Sequence, residues 1–149
     1  MAAKEQGRSP RAGAMPGIIV NGAMLGLANM WPGWWAVPFL TSSTAQVMGA
    51  VNSVWIAAIV ANAVYLVAGS AVVRALGGIV VAIFGLVALF RIWDLFPFDF
   101  PDSSFDWALA ARILLVIAIV GSFIGIIAQL VALVRALAGL GRKGRVAHP

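Results

Sequence analysis

Residues 12–73 form an unbroken run of 62 positions without a single Lys, Arg, Asp or Glu, and most of them are apolar. A soluble domain must give every element a solvated face, and this run supplies none. At about 1.5 Å per helical residue against about 30 Å of hydrocarbon, it is long enough to cross a bilayer twice. Further apolar runs follow at 75–90 and 113–134. Together they predict an all-α, polytopic membrane protein: a bundle of four transmembrane helices near 17–30, 45–68, 76–93 and 107–137. Short basic tails, 1–13 and 138–149, flank the transmembrane domain, 14–137.

Composition agrees. The chain has 149 residues, of which 62% are hydrophobic, and a mean hydropathy of +1.01. Its formal charge of +5 could point to nucleic acid, but the placement of the charges excludes that partner. Lys4, Arg8 and Arg11 precede the first apolar run, and Arg142, Lys143 and Arg145 follow the last. Basic residues clustered at the ends of spans orient a chain in the membrane and touch anionic lipid heads. With Arg74 between the second and third spans and Arg135 near the end of the fourth, they place both termini on the cytoplasmic side. The opposite side receives the uncharged loop 31–44 and the acidic loop 94–106. Trp31, Trp34, Trp35, Trp93 and Trp107 all fall at that second face, where an amphipathic ring prefers the headgroup level.

The first boundary is open on sequence alone. Pro32, Gly33 and Pro38 interrupt helix propagation, so the first helix either stops at Met30 or runs on, kinked, to about Leu40. A cleaved signal peptide is the rival interpretation, with small residues Gly26 and Ala28 around a cleavage point. Asn21 and three glycines weaken an apolar signal core. Thr41, Ser42, Ser43 and Thr44 supply hydroxyls for a loop and an N-cap on the second helix.

Small residues recur at helical spacing: Gly22, Gly26 and Asn29 in the first span, Gly78, Ala82 and Gly85 in the third, and Gly121, Gly125, Ala128 and Ala132 in the fourth. Lipid gives helices little hydrophobic reason to associate, so close backbone approach at small residues is the expected packing device. The same stripes serve a homo-oligomer or a membrane-protein partner. Polar residues within the spans are few. Asn52, Asn62 and Gln129 are expected to clamp helices together, or, in the alternative, to edge a polar seam.

Several chemistries are excluded. The chain has no cysteine and one histidine, His148, next to the C-terminus. No Asp, Glu or His stands in the middle of a span, where a proton-coupled carrier needs a titrating group or a haem its axial ligand. No nucleophile, base and acid combination can be assembled. The expectation is a chain that is not an enzyme and holds no cofactor.

The most distinctive segment is 91–107, RIWDLFPFDFPDSSFDW, which interleaves Asp94, Asp99, Asp102 and Asp106 with Phe96, Phe98, Phe100 and Phe105. Pro97 and Pro101 stiffen it. Arg91 is expected to pair with Asp94, three residues on, and Arg112 with Asp99 or Asp106, while the rings seal the bundle. Two other uses are a cation site at Asp99, Asp102 and Asp106, and a docking cap built from Trp31, Trp34, Trp35, Phe96, Phe98 and Phe100. Val37-Pro38-Phe39-Leu40, Arg91-Ile92-Trp93 and Phe96-Pro97-Phe98-Asp99-Phe100 together resemble an uncharacterised family of small four-helix bacterial membrane proteins. The resemblance covers 31–135. It implies a plasma-membrane location and assigns no biochemical function.

The sequence therefore predicts a non-catalytic accessory or scaffold subunit in the lipid bilayer. The alternative is a small passive channel or transporter along a polar seam.

Overall fold

The computed structural model describes residues 10–101 and 104–146, and the side chains of 12–101 and 104–142. Lys4, Arg8, Asp102, Ser103 and His148, and the side chains of Arg11, Lys143 and Arg145, lie outside the described residues. The chain is an all-helical, four-helix membrane protein: α1 (Pro10–Asn29), α2 (Thr44–Val67), α3 (Ala71–Leu95) and α4 (Trp107–Val146). Each is long and apolar enough to cross a membrane.

The helices begin earlier or end later than the apolar runs mark. Helical hydrogen bonding continues into the headgroup zone, where charged residues are welcome; apolarity records only the hydrocarbon depth. α1 starts at Pro10, a first-turn position where the missing N–H costs nothing, and runs through Pro16. It ends at Asn29 rather than continuing to Leu40. The peptide bond before Pro32 is cis and Gly33 has φ +81°, and the chain turns through a short 3-10 segment, Trp34–Ala36. α2 lacks the expected hydroxyl cap. Successive backbone turns, with Thr44 N donating to Thr41 O at 3.0 Å and Ala45 N to Ser42 O at 3.2 Å, close its first turn instead. α3 does carry a side-chain cap, Ser70 Oγ accepting from Val73 N at 3.2 Å. It stops at Phe96, in a left-handed conformation with φ 38°, because Pro97 cannot donate to continue it.

α1 packs on α2, α2 on α3 and α3 on α4; no other helix pair makes more than marginal contact among the described residues. The bundle is thus sequential and open between its first and last helices. Register is fixed by a few pairs: Asn29 faces Asn52, Gly17 faces Asn62, and Gly78 faces Gln129. These pairings are antiparallel, so the starts of α1 and α3 and the ends of α2 and α4 share one end. With Gly78 opposite Gln129, the start of α3 lies near Ala136, and the rest of α4 projects past it by about 15 Å at 1.5 Å per residue. Residues 138–146 of the expected C-terminal tail therefore continue the helix.

Burial is sparse, as befits a chain whose outer solvent is lipid. The buried apolar side chains are Ala14, Val47, Ala58, Ala75, Leu86, Ala88 and Leu115. Most are alanines, and together with Gly17, Gly77 and Gly78 they carry close helix approach.

Candidate functional site

The two long loops are knitted into one cap across the end opposite the termini. Leu40 and Phe98 form an isolated antiparallel bridge. Thr41 N donates to Pro97 O at 3.0 Å and Asp99 N to Phe39 O at 2.9 Å. Pro97 is fully buried beneath this stitch. Around it runs a file of rings: Phe39 stacks on Phe100 at 5.7 Å, Phe100 on Phe98 at 6.1 Å, and Phe98 meets Phe96 edge-on at 5.3 Å. Phe105 and Trp107 meet edge-on at 4.7 Å.

The expected ion pairs do not form. No salt bridge joins Arg91 to Asp94, or Arg112 to Asp99 or Asp106, among the described residues. The Arg112 guanidinium instead lies 4.2 Å from the Phe96 ring centroid and 5.4 Å from that of Trp93. A weakly hydrated planar cation is well matched to aromatic faces. Asp106 is committed elsewhere: its Oδ1 accepts from Leu109 N at 2.8 Å and caps α4. That role was legible in the sequence, as an Asp immediately before an apolar helical run. Arg91, Asp94 and Asp99 are exposed. The cation site cannot be assembled from the described residues, because Asp102 is not among them.

The docking-cap residues divide in two. Trp31 and Trp35 are 80% and 59% exposed, whereas Trp34, Phe96, Phe98 and Phe100 are half-buried. Phe96, Phe98 and Phe100 belong to the internal ring file, and Phe39, not singled out from sequence, belongs with them.

The packing glycines are corrected more sharply. A Cβ on Gly22, Gly26, Gly85, Gly121 or Gly125 would meet nothing within 4 Å. Of the predicted set only Gly78 is in close packing, where an added Cβ would lie 2.7 Å from the Gln129 amide. Gly17 against Asn62 and Gly77 against Tyr65 are tight contacts the spacing did not single out. Stripe periodicity marks which residues share a face, not which face meets a neighbour.

The three polar residues of the proposed seam are not brought together. Asn52 and Asn62 lie between α1 and α2, while Gln129 lies between α3 and α4. Asn52 and Asn29 exchange reciprocal amide hydrogen bonds of 2.8 Å. Most other polar groups turn back onto their own helix: Asn21 onto Gly17 O, Asn62 onto Ala58 O, Ser53 onto Gly49 O and Ser122 onto Ala118 O, at 2.7–2.8 Å. Thr44 Oγ1 is buried without a hydrogen-bond partner.

Comparison with known proteins returns nothing: no family model, no curated protein and no solved structure matches the chain.

Proposed function

We propose that this chain is a non-catalytic accessory or scaffold subunit of a membrane assembly, and that a partner helix seats on the small-residue face of α4. The carrying observation is the bareness of that face. Among the described residues α3 is the one helix on which α4 packs more than marginally, and Gly121 and Gly125 have open space where a Cβ would stand. Ala128 and Ala132 continue the same face and are exposed. Lipid covers such a surface, but a helix with complementary ridges covers it better, because close backbone approach gains dispersion contacts that mobile acyl chains do not supply. The basic termini and the family resemblance support a bacterial plasma membrane with both ends cytoplasmic.

The test is site-directed photo-cross-linking in native membranes. A photoreactive residue at Gly125 should give one discrete adduct, while the same residue at Phe123, about 160° around the helix, gives none. Mass spectrometry then names the partner, or a second copy of this chain. Equal, diffuse labelling of lipid from both positions would sink the proposal.

A further inference from the structure

Two half-open grooves meet beside the cap. The larger, about 670 Å³, is apolar throughout, with Phe39, Phe98 and Phe100 over it and Ala111, Leu114 and Ala118 of α4 beside it. The smaller, about 450 Å³, is mostly polar and contains Asp99, Ser104 and Asp106. Phe98, Phe100 and Trp107 are walls of both. Among the described residues no Lys or Arg lines either chamber. The larger volume lies within the range of about 300–1,000 Å³ typical of small-molecule sites.

This pairing has a direction. The polar chamber sits on the loop that precedes α4, at the level where Trp107 marks the bilayer interface. The apolar chamber runs down the first three turns of α4, toward hydrocarbon. Two acidic side chains and the aromatic walls converge on the upper chamber, the combination that recognises an ammonium group. The loop already holds a cation on an aromatic face, since Arg112 rests on Phe96. An anionic head would meet carboxylates with no counter-charge.

We infer that the cap and α4 form a binding site for a single-chain amphiphile with an ammonium head, the head between Asp99, Asp106 and Trp107 and the chain beneath the phenylalanine file. This site occupies the cap end of α4 and is independent of the partner proposed for Gly121 and Gly125.

The experiment uses the full chain in nanodiscs of zwitterionic lipid. The probe is 3-bromododecyl trimethylammonium, whose bromine, beside the head, quenches nearby tryptophan; 3-bromododecyl sulfonate is the matched anionic control. The ammonium probe should quench saturably, and Trp107→Phe should remove the saturable component. Asp99→Asn with Asp106→Asn should weaken binding at least about tenfold. Asn at 106 keeps an oxygen to cap Leu109, so helicity by circular dichroism should be unchanged. Ala118→Phe should fill the lower chamber and abolish saturation. The inference is overturned if both probes quench alike without saturating, which is partition into lipid, or if the neutralised variant binds as tightly as wild type.

Discussion

Asn29 and Asn52 hold each other by two amide hydrogen bonds of 2.8 Å, one in each direction, across the α1–α2 interface. Asn29 also donates to Leu25 O at 2.8 Å. The pair is therefore the one polar interhelical link built from side chains on both partners among the described residues, and it lies near the capped end, where α1 gives way to the Pro32 turn.

Asn52→Leu should destabilise the folded state by about 0.6–2 kcal/mol, because Asn29 loses a partner in a medium that offers no replacement. A double-mutant cycle with Asn29→Leu should recover a coupling of similar size. Asn62→Leu should show no coupling to Asn29, since Asn62 donates to its own helix at Ala58 O. Unfolding in mixed micelles, followed by circular dichroism, measures all three; additive Asn29 and Asn52 variants would contradict the pairing.

Glycine variants should separate bare faces from packed ones. Gly22→Ala and Gly85→Ala, which meet open space, should be neutral or stabilise by up to about 1 kcal/mol through helix propensity. Gly78→Ala should cost about 1–3 kcal/mol by overpacking against Gln129, and Gln129→Ala should rescue it. Gly33→Ala should cost about 1–3 kcal/mol, since φ +81° strains any side chain and the new methyl would strike the Trp35 ring. Equal effects at Gly22 and Gly78 would show that the α3–α4 contact is wrongly placed.

Arg112 gives a charge test. With no acidic partner among the described residues, its hold on the cap should be insensitive to Asp94→Asn or Asp99→Asn. Arg112→Lys should lose about 0.5–2 kcal/mol, because an ammonium cannot lie flat on Phe96 and Trp93. Thermal unfolding followed by tryptophan fluorescence reads both; a larger loss from Asp99→Asn than from Arg112→Lys would restore the ion-pair expectation.

The candidate site was only partly legible in the sequence. The interleaved Asp and Phe of 94–106, stiffened by Pro97 and Pro101, announced an ordered aromatic and acidic cap. Charge and spacing suggested Arg91 with Asp94 and Arg112 with Asp99 or Asp106, but they say nothing of the Phe96 ring that takes the Arg112 guanidinium instead. Phe39 was named only within a motif, and its place in the ring file was not read, because that depends on the backbone stitch between Thr41 and Pro97, residues far apart in the chain. Gly17 likewise acquires its importance from Asn62, which no local pattern connects to it.

The number of helices, their apolar character and their approximate limits followed from the chain alone, since burial in hydrocarbon depends on the composition of each segment by itself. Which faces meet was decided only in the tertiary structure. In lipid every apolar face is already at rest, so pairing is settled by local fit: alanines that admit a neighbouring backbone, an amide opposite an amide, a ring beneath a guanidinium. Those complementarities belong to pairs of surfaces, and a one-dimensional pattern records each surface without its mate.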